Sequence, residues 1–332
     1  MTAVGGGSFP GREALTICFA HVAYQLERRF GARDTGITHF EVRDGEALAA
    51  RLPEADVLVI SGLWRNTLLE DAPRLRWIQS IGAGYDQFPL DELRRRGIRL
   101  SSARGVNRNA VSEHAIALVL AMARKLPEAV ENQRRHVWRG MIGDVERRED
   151  ELAGKTLGIV GLGGIGSRTA ALGKAFGMRV LATKRQPQAG AGADGVADEV
   201  WGADRVDDLI RESDFVVLHC PLTDETRGLI DARRLALMKP TAYLINVARG
   251  ACVDEPAMLA ALRAGQIAGG GIDHFWDEPL PPESPFWDLP NVLITPHTAG
   301  ETRRYEDNVL DILMENLGRL ERGETALLNE VV

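Results

Sequence analysis

The sequence predicts an α/β protein made of two doubly wound domains, each built on a parallel sheet. Short apolar runs of strand length alternate with helix-length amphipathic segments through nearly all of the 332 residues. Buried parallel strands consist of such continuous apolar runs, and strands that alternate with helices are joined by right-handed crossovers. A chain of this length is long for one domain and sufficient for two.

The strand-like runs form two series, and a long helical segment separates them. The first series consists of LTICFA, ITHFEV, ADVLVIS, LRWIQSIG and IRLSS, with helices predicted at AYQLERRF and LDELRRRG. The second series starts at Thr156 and consists of TLGIV, MRVLAT, DFVVLHC, AYLINVA, GGGIDHF and NVLITP. Between them, NRNAVSEHAIALVLAMARKL has apolar residues at helical spacing, and Ser112 with Glu113 favours a helix start there.

The two ends of the chain and one internal segment complete the prediction. The last helical segment, ETRRYEDNVLDILMENLGRLERG, has no strand after it, so we expect it to return to the first domain and cover it. The opening MTAVGGGSFPGREAL is interpreted as a loose end and not as a signal peptide. The stretch AGAGADG, residues 189–195, is interpreted as a loop.

Composition and charge exclude several classes of function. The net charge is −7, so no overall positive potential attracts nucleic acid or anionic lipid. No apolar run approaches the ~20 residues that a membrane span requires. The three cysteines are far apart in the sequence, which fits a reducing compartment and provides no metal-ligand spacing. We therefore expect a cytoplasmic protein without nucleic-acid, membrane or metal partners.

The segment TLGIVGLGGIGSRTAALGKAFGMRV has the spacing G-x-G-x-x-G between a predicted strand and a predicted helix. Gly161 permits the tight turn, Gly163 lets a pyrophosphate approach the backbone, and Gly166 lets helix and strand pack closely. The amides of Gly164 and Ile165 would point at the phosphates from the helix start. This unit predicts a Rossmann-like dinucleotide site, and the alternative is a strand–helix turn without a ligand.

The end of the next strand bears on which dinucleotide binds. A ribose-binding acid is expected about 20 residues after the glycines, and the chain has Thr183, Lys184 and Arg185 there. A lysine cannot accept hydrogen bonds from the ribose hydroxyls, whereas lysine and arginine both bind a phosphate. The sequence therefore predicts a preference for NADP over NAD, with NAD still possible. The alternative is that both bases lie on a solvated loop of an arginine-rich chain.

Polar residues follow three further strands of the second series. Arg249 follows AYLINVA, Asp273 and Glu278 follow GGGI, and His297 follows NVLITP. The carboxyl ends of parallel strands face the ligand crevice, so these side chains are expected to converge on a nicotinamide. Taken singly, each has a structural interpretation, whereas together at strand ends they indicate a catalytic set.

The chemistry of this set suits the reduction of a 2-keto acid. Arg249 would hold the carboxylate and polarise the carbonyl, and His297 would donate the proton. Glu278 would fix the tautomer of the imidazole and favour its protonated form. Asp273 would accept a hydrogen bond from the carboxamide of the nicotinamide. No role is assigned to His114, His219 or His274.

From about Leu58 onward the sequence resembles the D-isomer-specific 2-hydroxyacid dehydrogenases. The most specific motifs are GLGGIG…AFGMRV, LHCPLTDETRGLI, INVARGACVDEPAML, GGGIDHFWDEPLP and TPHTAG. The resemblance implies that Arg249, Glu278 and His297 are catalytic, and that Ala83 and Gly84 bind the substrate carboxylate through their amides. It also implies cofactor contacts at Cys220, Pro221, Thr226, Val247, Ala248, Arg249, Asp273, His297, Ala299 and Gly300.

The resemblance also bears on domain organisation and assembly. We predict a flavodoxin-like substrate domain of residues 1–103 and 298–332, with a dinucleotide-binding domain of residues 104–297 inserted in it. A homodimer is expected, because Trp138 lies in a segment that forms the dimer arm in this family. Trp64 is a candidate for the substrate pocket, and packing in the core is an equal alternative.

Together these observations predict NADPH-preferring reduction of a small 2-keto acid, such as glyoxylate or hydroxypyruvate, to the D-2-hydroxy acid. One alternative is a relative that acts on another 2-hydroxy acid such as a phosphoglycerate. Another is a non-catalytic dinucleotide sensor that binds protein partners, because fold alone does not decide function. Formate dehydrogenases of the family have glutamine in place of Glu278, so Glu278 argues against that activity.

Overall fold

The structure is a computed structural model that describes residues 9–187 and 195–332. The chain divides into two compact units: unit 1 is Met1–Val106 with Thr302–Val332, and unit 2 is Asn107–Glu301. Each unit has one parallel sheet with helices, which confirms the predicted fold class. The first eight residues of the predicted loose end and most of the predicted loop lie outside the described residues. The assignment of unit 1 to substrate and unit 2 to dinucleotide stays a prediction.

Within the described residues the chain forms twelve β-strands and ten α-helices. The strands are β1 Thr16–Ala20, β2 Thr38–Val42, β3 Val57–Ile60, β4 Trp77–Ser80, β5 Arg99–Ser101, β6 Thr156–Val160, β7 Arg179–Lys184, β8 Glu199–Gly202, β9 Phe215–Leu218, β10 Tyr243–Asn246, β11 Gly269–Ile272 and β12 Val292–Ile294. The helices are α1 Leu26–Gly31, α2 Gly45–Arg51, α3 Leu90–Arg96, α4 Arg108–Ala123, α5 Leu126–Arg134, α6 Gly164–Ala175, α7 Val206–Glu212, α8 Ala232–Leu235, α9 Glu255–Arg263 and α10 Tyr305–Glu321. Short 3₁₀ turns lie at Arg12–Ala14, Leu52–Glu54, Asn66–Leu69, Val145–Arg147, Ala203–Arg205, Gly250–Cys252 and Pro285–Asp288. None of the described helices combines the length and the apolar composition that crossing a membrane requires.

The sheet of unit 1 has five parallel strands in the order β2-β1-β3-β4-β5. Every residue of β3 is buried, because helices cover both faces of this central strand. Leu58 and Ile60 share a core layer with residues of α2 and α3, and Val57 and Val59 share the opposite layer with residues of α1 and α10. The last helix therefore packs in unit 1, where the sequence analysis expects it.

The sheet of unit 2 has seven parallel strands in the order β12-β11-β10-β9-β6-β7-β8. The order runs outward from β6 in both directions, which is the doubly wound pattern of a dinucleotide-binding fold. The edge strand β8 was not predicted. Only Trp201 of its four residues is buried, so this strand lacks the apolar run that identifies the others.

The helix between the two strand series starts earlier than predicted. α4 begins at Arg108, and Ser112 lies inside it. The prediction of a start at Ser112 and Glu113 is wrong because the Ser112 hydroxyl donates to the carbonyl of Asn109 (2.8 Å) instead of capping the helix. A serine inside a helix commonly satisfies its hydroxyl on the preceding turn in this way.

Consecutive glycines in β11 let helices approach both faces of the unit 2 sheet. A Cβ on Gly271 would lie 3.0 Å from Cβ of Leu118 in α4. A Cβ on Gly270 would lie 3.1 Å from Cε of Met258 in α9, on the other face. Helix α4 thus packs closely against the strand whose carboxyl end carries Asp273.

Candidate active site

The strand order of unit 2 reverses between β6 and β9, and ligands of doubly wound sheets bind at such a point. The helix after β6, α6, contributes to one core layer, and the helix after β9, α8, contributes to the other. Gly161 directly follows β6, Cys220 lies two residues after β9, and the two residues are close together. A Cβ on Gly161 would be 2.8 Å from the backbone nitrogen of Cys220.

The predicted glycine turn joins β6 to α6. Gly161 has a φ of 102°, a conformation that favours glycine. A Cβ on Gly166 would overlap the carbonyl oxygen of Gly161, so close packing of strand and helix requires glycine there. Nothing lies within 4 Å of the Cβ position of Gly163. The first amides of α6, from Gly164 and Ile165, have no helical acceptor, and unpaired amides at a helix start are suited to an anion.

Three predicted cofactor residues lie at the end of β7. Thr183 is buried, and its carbonyl accepts hydrogen bonds from the amides of Gly161 and Leu162 (3.1 and 2.9 Å). These bonds tie the end of β7 to the glycine turn. Lys184 ends the strand and Arg185 follows it, and both side chains are exposed. Two cations therefore stand where a ribose-binding acid is usual.

Arg249 lies in an extended turn after β10. The side chain of Asn246 shapes this turn, because its nitrogen donates to the carbonyl of Arg249 and its oxygen accepts from the amide of Ala248 (both 3.0 Å). The exposed Arg249 guanidinium donates to the carbonyl of Ala248 (2.7 Å). A Cβ on Gly250 would overlap the carbonyl group of Phe275, so this turn packs directly on the segment that follows β11.

Asp273, the residue after β11, organises the turn that carries His297. Its carboxylate accepts hydrogen bonds from the hydroxyl of Thr295 (2.6 Å) and from the amides of Thr298 and Ala299 (3.0 and 3.1 Å). Its carbonyl accepts from the His297 amide (3.0 Å). These bonds hold His297 at a φ of 54°, a left-handed conformation that costs a non-glycine residue about 1–2 kcal/mol. Whether this buried carboxylate also accepts from a nicotinamide stays a prediction.

His297 and Glu278 form a hydrogen-bonded pair, with Nδ1 of the imidazole 2.6 Å from Oε2 of the carboxylate. Burial by itself would raise the pKa of Glu278, but the contacts with His274 and His297 outweigh it and lower the pKa to about 2. An ionised carboxylate only accepts, so Nδ1 carries a proton and Nε2 is left for exchange with a ligand. The side chains are 52% and 35% exposed, so a ligand can reach the pair.

His274 belongs to the same cluster, although the sequence analysis assigns it no role. It is 5% exposed, and its ring centroid lies 3.8 Å from that of His297. Its Nδ1 is 3.4 Å from Oε1 of Glu278, and its Nε2 is 3.7 Å from Oδ2 of Asp273. Burial lowers the pKa of His274, and the charges of His297 and Arg249 lower it further against the opposing effects of Glu278 and Asp273. The available sequence signal was a titratable residue directly after Asp273 at a strand end.

The other two histidines without an assigned role differ from each other. His114 is 22% exposed in its side chain, and its Nε2 lies 2.9 Å from the Thr295 hydroxyl. It therefore extends the hydrogen-bond network of Asp273, which was not predicted from the sequence. His219 lies 2.9 Å from the Thr169 hydroxyl, and burial lowers its pKa to about 3, as expected of a packed residue.

The remaining predicted cofactor positions also follow strands of the unit 2 sheet. They are Cys220 and Pro221 after β9, Thr226 in the same loop, Val247 and Ala248 after β10, and Ala299 and Gly300 after β12. The Thr226 hydroxyl donates to the carbonyl of Pro221 (2.6 Å) and folds this loop on itself. Beside Gly300, the buried side-chain oxygen of Asn107 has no hydrogen-bond partner among the described residues. The sequence analysis did not single out Asn107.

The predicted substrate residues outside this set lie in unit 1. The Trp64 ring is 4% exposed and packs against Phe88, with 5.0 Å between ring centroids, and its nitrogen donates to Asn66 (2.9 Å). This is the arrangement that the packing alternative predicts. Ala83 and Gly84 are half-buried. Among the described residues, no acceptor pairs with either amide.

The cluster of His274, Glu278 and His297 also has the composition of a metal-ligand set, and its ligand atoms lie within 4.8 Å of one another. Two ligand atoms of a tetrahedral zinc ion are about 3.3 Å apart. The His297–Glu278 contact of 2.6 Å is shorter and is a hydrogen bond. The observed arrangement is therefore that of an acid–base group.

Comparison with known proteins places this geometry in context. Residues 116–299 match the family model described as D-isomer specific 2-hydroxyacid dehydrogenase, NAD binding domain. A curated glyoxylate reductase from Aeropyrum pernix is 40% identical over 288 residues, which are 84% of each chain. A D-isomer specific 2-hydroxyacid dehydrogenase family protein from Aeromonas salmonicida has a similar structure (TM-score 0.84, 31% identity, 96% of this chain and 99% of that chain). A D-isomer specific 2-hydroxyacid dehydrogenase from Xanthobacter autotrophicus, solved with NADPH and MES, is also similar (TM-score 0.77, 28% identity, 96% and 98%).

Proposed function

Because the chain belongs to the D-isomer specific 2-hydroxyacid dehydrogenase family, we propose that it reduces a small 2-keto acid to the D-2-hydroxy acid with NADPH as the preferred cofactor. Membership makes it an oxidoreductase that uses a nicotinamide dinucleotide. The observation that carries the proposal is the 2.6 Å hydrogen bond between His297 and Glu278 at the sheet edge that also bears the glycine turn. The name of the Aeropyrum pernix relative supports glyoxylate, or the similar hydroxypyruvate, as substrate.

The residues present fit a dinucleotide. The open space above Gly163 and the unpaired first amides of α6 suit a pyrophosphate. Lys184 and Arg185 are exposed beside this turn and suit the additional 2′-phosphate of NADPH. The NADPH complex of the Xanthobacter autotrophicus relative supports the same cofactor.

The catalytic roles follow from the chemistry of each side chain. When bound, the reduced nicotinamide supplies a hydride for the keto carbon. Arg249 binds the substrate carboxylate and polarises the carbonyl, and the amides of Ala83 and Gly84 are proposed as further ligands of the carboxylate. His297 donates the proton from Nε2 to the former carbonyl oxygen, so one hydride and one proton complete the hydroxy acid. Glu278 holds the other nitrogen and favours the imidazolium that precedes this transfer.

The proposed function is tested by paired titrations with NADH and NADPH against glyoxylate, hydroxypyruvate, pyruvate, phenylpyruvate and a phosphorylated keto acid. We expect oxidation of NADPH with glyoxylate or hydroxypyruvate, and a D-hydroxy acid as product. Turnover only with the phosphorylated acid would indicate the phosphoglycerate alternative. Tight cofactor binding without oxidation by any keto acid would indicate the sensor.

The cofactor preference has its own test. The variant Lys184→Asp should raise the KM for NADPH about tenfold, because an attractive contact with the 2′-phosphate is replaced by repulsion. The KM for NADH should fall or stay constant. A clear preference of the natural chain for NADH, together with no effect of Lys184→Asp, would contradict this part of the proposal.

We propose a homodimer that uses α5 and the segment after it. Five apolar side chains of this region are exposed, namely Leu126, Val130, Val137, Trp138 and Met141, and Trp138 is 98% exposed. Apolar patches of this kind mark interaction surfaces. Light scattering coupled to size exclusion tests it, because Trp138→Asp should convert a dimer into a monomer. The cytoplasmic location stays a prediction.

A further inference from the structure

The carboxylate of Glu278 has a different set of donors on each oxygen. Its Oε2 accepts only from His297 (2.6 Å) among the described residues. Its Oε1 accepts from the amide of Phe275 (3.1 Å) and lies 3.4 Å from Nδ1 of His274. The two contacts on Oε1 come from the segment directly after β11, so they fix the rotation of the carboxylate relative to that strand.

His274 is placed to do this by its surroundings. Its ring lies against the His297 ring at 3.8 Å and is almost completely buried. Nearby Asp273 has three internal donors, and its Oδ2 is 3.7 Å from Nε2 of His274, beyond hydrogen-bond distance. The charges of His297 and Arg249 both oppose protonation of His274. A neutral ring with its proton on Nδ1, toward Glu278, satisfies all these neighbours.

We propose that His274 is a positioning residue for the proton donor: it holds Oε1 of Glu278 so that Oε2 stays on Nδ1 of His297. The inference deepens the proposed function and rests on it. A purely structural role would require His274 only to fill space beside the His297 ring. A leucine at position 274 separates the two roles, because it fills space but donates no hydrogen bond to Glu278. Activity should survive this change if His274 only packs, and fall if His274 positions Glu278.

The experiment compares His274→Leu, His274→Asn and the natural chain in the reduction of glyoxylate or hydroxypyruvate, with EDTA present to remove adventitious metal. Asparagine keeps a donor near the position of Nδ1, and leucine does not. His39→Leu is the matched control, since the Nε2 of His39 also lies close to a glutamate (3.3 Å from Oε1 of Glu27) but His39 belongs to β2, outside the cluster. We expect His274→Leu to lower kcat about tenfold, because one polar contact to a charged group is lost, with the KM for the cofactor unchanged. His274→Asn should recover most of this loss.

The pH profile separates positioning from packing. Reduction requires the protonated imidazole, so activity falls as the pH rises. In His274→Leu the activity profile should move toward lower pH, because a loosened Glu278 favours the imidazolium less. An unmoved profile, or a loss that His274→Asn does not recover, would overturn the positioning role.

A measurement on the natural chain tests the inference without requiring that any variant folds. Nitrogen-15 spectra of the imidazoles report which nitrogen carries the proton. We expect neutral His274 with its proton on Nδ1 near pH 7, and the opposite tautomer would overturn the inference. His297→Ala is run beside these variants. If it keeps full turnover, the proposed function fails; if it is inactive while His274→Leu equals the control, only the role of His274 fails.

Discussion

The glycine turn after β6 and the His297 turn after β12 lie at the same edge of one sheet, yet they are built in opposite ways. The glycine turn works by the absence of side chains, which leaves backbone amides open to a ligand. The His297 turn works by side chains, since the Asp273 carboxylate binds its backbone and holds His297 in a left-handed conformation. A site for an anion can thus be made by local chain geometry, whereas a proton donor must be aimed by distant partners.

The largest expected effect concerns the aimed side chain. His297→Ala removes the proton donor, so kcat should fall about 10³-fold, within the range for general acid catalysis. The glycine turn is untouched, and the dissociation constant for NADPH, measured by fluorescence, should change little. Turnover at the natural level would show that His297 is not the proton donor. The contrast between the glycine turn and the His297 turn would then have no functional meaning.

The glycine turn offers a matched pair of changes. Gly166→Ala places a Cβ on the carbonyl of Gly161 and should lower the free energy of unfolding by about 1–3 kcal/mol, as overpacking does. Gly163→Ala meets no atom within 4 Å, so it should leave stability unchanged while weakening NADPH binding at the pyrophosphate. Denaturant unfolding and cofactor titration of both variants check this. Equal stability losses would show that Gly163 serves the fold and not the ligand.

Asp273→Asn tests whether the His297 turn depends on its anionic acceptor. The amide nitrogen of asparagine would face a backbone or hydroxyl donor, so the free energy of unfolding should fall by roughly 1–3 kcal/mol. Turnover should fall as well, because the turn no longer holds His297 in place. Asp277→Asn is the control, since Asp277 is exposed one turn away. If Asp273→Asn changes only cofactor affinity, the carboxylate serves the nicotinamide and not the turn.

The smallest expected effect is on the pH dependence of stability. The pKa of Glu278 is lowered in the folded chain from 4.5 to about 2, so its contribution to stability is complete above pH 4.5. That contribution is lost as the pH falls toward 2. The difference in unfolding free energy between the natural chain and Glu278→Gln should therefore be present at pH 7 and shrink steadily below pH 4.5. A difference that grows on acidification would reverse the sign and contradict the ionised carboxylate.

The contrast between the two turns also explains what the sequence could predict. The glycine turn is local, and its spacing together with the flanking strand and helix identified Gly161, Gly163 and Gly166. The positions of Arg249, Glu278 and His297 at strand ends were predictable because parallel strands end at one edge. The conformation of His297 was not, because it depends on hydrogen bonds to Asp273, a residue 24 positions earlier in the chain.

The failures have similar causes. The edge strand β8 has one buried residue in four, so it lacks the apolar run from which a strand is predicted. Ser112 with Glu113 resembles a helix cap in sequence, so the start of α4 is predicted too late. The sequence does not reveal that the Ser112 hydroxyl bonds to the preceding turn. No role was predicted for His274 because its contact with the His297 ring joins two different strand ends, which the sequence pattern does not reveal.

The glycines of β11 carry a mechanical implication. Gly269 and Gly271 face Met122 and Leu118 of α4 without a side chain of their own, so no side chain there can rotate when the helix shifts. Displacement of α4 would be passed rigidly to Asp273 two residues beyond Gly271, and through it to the imidazole. The packing residues of α4 would thus influence the position of the proposed proton donor, although they lie on the far side of Asp273.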